Sequence, residues 1–174
     1  MTMDQFRLHS DKIPQFLYRV GYEGSATVYY PDIGLISQDT RSIYAQDDDF
    51  GDAVDCHLNW SRKRKSRFIS LFSDRTHAEN WMNRQLKALN NENCNSKYWN
   101  LLEIDTTALS DSYLFHAHEI VTSLDLDVKA IASASIKGEY LVVHRVPAAA
   151  ITVIQPAPQD SISDELIKQL ESMT

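Results

Sequence analysis

Three stretches of this sequence carry polar side chains inside otherwise apolar runs. Leu17-Tyr18-Arg19-Val20 sets an arginine near the end of an early strand. Phe68-Ile69-Ser70-Leu71-Phe72 sets a serine at the centre of another, and Ser73-Asp74 follow it as an N-cap pair for a helix. Glu139 opens Glu139-Tyr140-Leu141-Val142-Val143-His144-Arg145, which leads through Val146-Pro147 to a further strand. An arginine fork grips oxyanions, and a carboxylate stabilises developing positive charge. Singly, each residue also has an ordinary structural role: Arg19 as half of an ion pair, Ser70 as a small core residue, Glu139 as an exposed acid after Gly138 in a turn.

Two other groups could carry chemistry. The basic run Ser61-Arg62-Lys63-Arg64-Lys65-Ser66-Arg67, edged by Trp60 and Phe68, combines cations with aromatics, as phosphate-binding and base-stacking surfaces do. The same composition serves a solvated loop or a nuclear-import signal. The six histidines are scattered; His116 and His118, two apart, would share a face of one strand, without a third residue to complete a metal set. A Gly-rich phosphate loop, zinc spacing, a metalloprotease helix and a nucleophile elbow are absent. Cys56 and Cys94 lack metal-ligand spacing and are too few for a disulfide scaffold; a single disulfide is the alternative to the reducing compartment expected here.

In order and spacing, the three polar stretches resemble the arginine, serine and glutamate motifs of the ADP-ribosyltransferase superfamily, in its cholera-toxin-like branch. That family shows a Leu-Tyr-Arg strand, a Ser-Thr-Ser strand ahead of a helix, and a glutamate followed by an Ile-Pro turn. The resemblance spans residues 16–154 and is nearest to a group of uncharacterised fungal domains with a His-x-x-Trp segment, here His57 to Trp60. It implies an α+β ADP-ribosyltransferase-like fold: two small packed β-sheets with a central cleft and flanking helices. It also implies NAD as substrate, no metal, and cleavage of the nicotinamide–ribose bond by transfer to an acceptor or by hydrolysis. In that reading Glu139 accepts a hydrogen bond from the ribose 2′-hydroxyl and stabilises an oxocarbenium-like ribose. Arg19 grips phosphate or ribose oxygens, Ser70 orients Glu139 or Arg19, and Phe72 lines an apolar nicotinamide slot. Tyr18, facing away from Arg19, packs in the core.

The sequence departs from the family pattern in two places. Lys137 stands two residues before Glu139, where members that modify protein side chains carry Glu or Gln. A cation cannot act as a base there at neutral pH; it suits a phosphate contact, hence a nucleotide or nucleic-acid acceptor. Leu71 and Phe72 replace the usual Thr and Ser. Both changes also fit the alternative, a catalytically inactive domain that binds a protein or nucleic-acid partner through the basic run or a C-terminal helix. A third expectation, a nucleic-acid module centred on Trp60 and residues 61–67, predicts strongly salt-dependent binding. The acceptor and the oligomeric state are left open.

These residues need a scaffold, and the composition supplies one. With 174 residues, 43% hydrophobic and 24% charged, the chain reads as a single domain, residues 1–174, large enough to bury its own core. Its net charge of −7 argues against a general nucleic-acid coat. The N-terminus has no secretory pattern and no stretch is apolar enough to span a bilayer, so a soluble cytoplasmic or nuclear protein with no membrane partner is expected. Strands are predicted at 16–20, 68–72, 99–105, 139–145 and 150–154. The spacing of Ala78, Trp81, Met82, Leu86 and Leu89 predicts a helix over 75–90. Residues 113–116 read as a strand followed by a short helix from Ala117, and 130–135 as another short helix. A C-terminal helix in 161–172, capped by Ser163, carries an apolar stripe of Leu166, Ile167 and Leu170. Turn residues scattered through 21–56 predict an irregular stretch that covers NAD or selects the acceptor. Without regular βαβ alternation the class is α+β.

Overall fold

The computed structural model describes residues 3–22, 25–41, 48–60, 64–91, 99–109, 112–129 and 136–155. The expected helices at 130–135 and 161–172 lie outside these residues, as does Cys94. Among the described residues nine strands follow in chain order: β1 (Phe16–Tyr22), β2 (Val28–Tyr30), β3 (Gly34–Ile36), β4 (Phe68–Phe72), β5 (Trp99–Asp105), β6 (Leu114–His116), β7 (Glu139–Val143), β8 (Arg145–Pro147) and β9 (Ile151–Gln155). Three α-helices join them: α1 (Asp48–Leu58), α2 (Arg75–Asn91) and α3 (Ala117–Leu124). The strands form a six-stranded sheet of order β6-β7-β4-β1-β5-β9 and a three-stranded sheet of order β2-β3-β8. All the pairings are antiparallel. The architecture is therefore the expected α+β arrangement of two sheets with flanking helices.

Burial follows strand alternation. On one face of the large sheet, Leu17, Ile69, Leu71, Leu102, Ile104 and Val142 pack with Leu35 and Val146 of the small sheet, and all are essentially solvent-free. On the other face, Phe68, Phe115 and Leu141 meet Phe50, Val54 and Leu58 of α1 and Ile120 of α3. Further along that face, Val20 and Leu101 meet Ala78 and Met82 of α2, with Tyr18, Tyr22, Phe72 and Trp81 packed around them. Period-2 strands and 3.6-residue helices thus interlock, each burying the face its sequence leaves apolar.

The large sheet is nearly split in two. β1 pairs with β5 at seven consecutive positions and β4 with β7 at five, but β1 and β4 pair only at Tyr18↔Phe72. The halves β6-β7-β4 and β1-β5-β9 are joined there and separate beyond it.

Two expectations about elements need correction. Residues 21–56 are not one irregular stretch: they finish β1, contain β2 and β3, and hold most of α1. The helical spacing of Phe50, Ala53, Val54 and Leu58 was present in the sequence, but Gly51 and the run of aspartates before it read as turn signals. Residues 139–145 are not one strand either. β7 ends at Val143, and His144 turns the corner at φ 65° into β8, which belongs to the small sheet. Two backbone bonds clamp that corner: His144 N–H donates to the Arg67 carbonyl at 2.8 Å, and Ser37 N–H donates to the His144 carbonyl at 2.9 Å. Gly34 faces the corner with φ +108°, where an added Cβ would overlap the Val146 carbonyl, so only glycine serves there.

Candidate active site

Arg19 lies where the sheet splits. By alternation its side chain starts on the face of Leu17 and Leu102, opposite to Ser70, Phe72 and Glu139. Because β1 and β4 separate after Tyr18↔Phe72, the guanidinium reaches β4, and Nη1 donates to the Ser70 carbonyl at 2.6 Å. Nη2 donates to Ser25 Oγ at 3.4 Å, and the same oxygen accepts the Thr27 N–H at 3.3 Å. Arg19 is 9% exposed and its Nε is buried without a partner. Burial lowers its pKa to about 10, opposed by Tyr22 and the negative charge of Glu139, so it remains a cation at neutral pH.

Glu139 is 6% exposed, which corrects the expectation of an exposed turn acid. It follows the 3₁₀ turn Ile136–Gly138 and opens β7 opposite Phe72. Ser73 pins that turn, its N–H and its hydroxyl donating to the Gly138 carbonyl at 2.9 Å and 3.3 Å. Ser73 therefore clips β4 to β7, while the first turn of α2 is capped by Asp74, whose Oδ1 accepts the Thr76 N–H at 2.8 Å. The register aligns Glu139, Phe72, Tyr18 and Glu103 across four adjacent strands. Tyr18 packs on the α2 face, as expected; burial first, then Glu103, raises its pKa.

The residue the sequence singled out only as part of a segment is His57, near the end of α1. Its Nε2 is 2.8 Å from Ser70 Oγ and its Nδ1 is 2.6 Å from Ser66 Oγ. Ser66 Oγ also accepts the Phe68 N–H at 3.1 Å. A neutral imidazole has one donor and one acceptor, so His57 donates to one serine and accepts from the other. Burial, and secondarily the charge of Arg19, push His57 down to about 3, keeping the ring neutral. Ser70 was expected to orient Arg19 or Glu139 through its hydroxyl. Instead its backbone carbonyl holds Arg19 and its hydroxyl bonds to His57. The sequence signal for His57 was its place beside Leu58 on the apolar face of an amphipathic helix, legible only once α1 is recognised.

The remaining sequence candidates sit around this centre. Phe72 is half-buried against the α2 cluster, with its ring 4.9 Å from that of His77. Lys137 is exposed in the turn before Glu139, and its carbonyl lies 2.9 Å from His116 Nε2. His116 closes β6 while His118 lies in α3, so the two do not share a strand. Among the described residues no group of three His, Cys, Asp or Glu side chains is placed to hold a metal, and no helix is long and apolar enough to cross a membrane.

The candidate site thus comprises a buried cation and a neutral histidine–serine pair where β1 and β4 part, with a buried acid on the adjoining strand β7. Residues 12–157 match the family described as a domain of unknown function (DUF7587), and the chain belongs to that family. No curated protein matches the chain. Among solved structures the chain is similar to EcPltA, with 14% identity over 79% of this chain and 73% of that one and a TM-score of 0.49.

Proposed function

We propose that this protein cleaves the nicotinamide–ribose bond of NAD, as an ADP-ribosyltransferase or NAD glycohydrolase. The observation that carries the reading is the seating of Arg19 on the Ser70 carbonyl, within electrostatic reach of the buried Glu139. Arg19 and Ser70, from motifs far apart in sequence, touch where β1 and β4 part, and Glu139, from the third motif, is buried on the next strand, β7. Arg19 is a permanent cation whose fork would bind the phosphate or ribose oxygens of NAD. Glu139 would accept the ribose 2′-hydroxyl proton in a hydrogen bond. As the C1′–N bond breaks, its electron pair passes to the nicotinamide nitrogen, and the carboxylate stabilises the positive ribose. The acceptor, or water, adds a lone pair to C1′ and releases a proton. Lys137, exposed just before Glu139, would meet the acceptor side and favours one carrying phosphate. Ser70 supports the site from behind, holding Arg19 by its carbonyl and His57 by its hydroxyl.

The test is incubation of purified protein with NAD and measurement of free nicotinamide, with Glu139→Gln and Arg19→Lys in parallel. Release by the wild type and none by Glu139→Gln is the expected result. Arg19→Lys should weaken NAD binding, because a single ammonium cannot reproduce the fork. Equal release by wild type and Glu139→Gln would end the assignment. No release, together with no rise in melting temperature on adding NAD, would leave the inactive interaction domain that Lys137, Leu71 and Phe72 favour.

A further inference from the structure

We propose that the turn at the end of α1 is a binding platform for single-stranded nucleic acid, with Trp60 as the stacking surface. Trp60 is 62% exposed, the most exposed of the large apolar side chains among the described residues. Its backbone is left-handed, at φ 51°. That is the position after a helix where glycine or asparagine is favoured and a bulky side chain is disfavoured. An indole displayed to solvent at a strained position lowers stability without filling the core.

The surroundings fix the backbone that carries the indole and leave its side chain exposed. Asn59, the residue before it, is tied down on several sides. Its Nδ2 donates to Asp55 Oδ1 at 2.8 Å and to the Asp127 carbonyl at 2.9 Å, and its Oδ1 accepts the Lys129 N–H at 2.9 Å. Lys129 Nζ donates to the Asn59 carbonyl at 3.1 Å, which places an exposed ammonium at the peptide leading into Trp60. On the other side, the His57–Ser66 bond of 2.6 Å closes the base of the loop, so exposed Arg64 and Lys65 return close to the end of α1. Lys129 and Lys65 thus lie on segments bonded to the end of α1 that carries the most exposed aromatic side chain among the described residues, with the Asp55 carboxylate turned to Asn59.

An aromatic face flanked by lysine and arginine matches a base stacked on the ring with its phosphates on the cations. A duplex hides its base faces within the stack, so the platform selects single strands. The proposal does not depend on NAD cleavage: binding is measured without NAD and in the Glu139→Gln background as well as in the wild type.

The experiment is fluorescence anisotropy with a labelled single strand of about 12 nucleotides and with its duplex. It compares wild type, Trp60→Gly and Lys65→Glu. Glycine suits the left-handed position, so Trp60→Gly should melt no lower than wild type. The expected result is single-strand binding that weakens roughly 10- to 100-fold in Trp60→Gly. Lys65→Glu should also weaken it, and affinity should fall several-fold between about 50 and 200 mM salt. No single-strand binding at low salt would overturn the proposal. So would equal affinity of Trp60→Gly and wild type, which would mean unspecific charge attraction, and so would preference for the duplex.

Discussion

His57 Nε2 lies 2.8 Å from the Ser70 hydroxyl, while the carbonyl of the same serine receives the Arg19 guanidinium at 2.6 Å. One small residue therefore couples a neutral imidazole on a helix to a buried cation on a neighbouring strand, using side chain for one and backbone for the other. Removing the hydroxyl and removing the guanidinium are consequently separable perturbations.

Ser70→Ala should leave Arg19 seated, because the carbonyl is untouched. It strips His57 Nε2 of its partner, a buried polar atom left unsatisfied, which costs about 1–3 kcal/mol. Urea denaturation of the variant should show a lower midpoint with an unchanged slope. An unaltered midpoint would mean that the hydroxyl does not support the imidazole.

His57 makes stability depend on acid. Its folded-state value of about 3 lies below the ordinary 6.5, so the unfolded chain binds a proton that the folded chain refuses. The contribution is complete above about pH 6.5 and is lost as pH falls towards 3, on the order of a few kcal/mol across that window. In His57→Gln this component is missing, so its stability should decline less steeply between pH 6.5 and 3 even though its starting stability is lower. Parallel stability–pH curves for the two proteins would show that the ring is not held neutral by the fold.

Trp81 separates core from surface in α2. It is partly buried, packs with the Val20–Met82 cluster and has its ring 5.5 Å from that of Tyr22. Trp81→Ala should cost about 2 kcal/mol, below the roughly 3–5 kcal/mol of a fully enclosed ring. A calorimetric loss near zero would mean that the indole adds nothing to that cluster.

Much of the fold was legible in the sequence. β1, β4, β5 and β9 followed from short β-branched and aromatic runs and α2 from its apolar spacing, and the expected change from strand to helix at Ala117 is present as well. What escaped was set by partners remote in sequence. α1 opens among aspartates and contains Gly51, and it is a helix because Phe50, Val54 and Leu58 find Phe68, Phe115 and Leu141. The short strands β2 and β3 carry too few residues to show alternation and exist through pairing with each other and, for β3, with β8. His144 breaks a run of strong strand formers because Arg67 and Ser37 clamp it at the corner between two sheets.

The site divides along the same line. The sequence by itself determined which residue types were available and in what order: an arginine, a serine and a glutamate, each on its own strand, with a lysine where an acid was expected. Strand alternation alone puts Arg19 on the opposite face from Ser70 and Glu139, and so argues against their meeting. The tertiary structure nevertheless brings the Arg19 guanidinium onto the Ser70 carbonyl. β1 and β4 share a single pairing before they part, and the opening lets a long side chain cross from one face to the neighbouring strand. It also decided that His57 bonds to Ser70 and that Glu139 is buried, because a ring or a carboxylate takes its surroundings from what packs around it, and those neighbours come from distant parts of the chain.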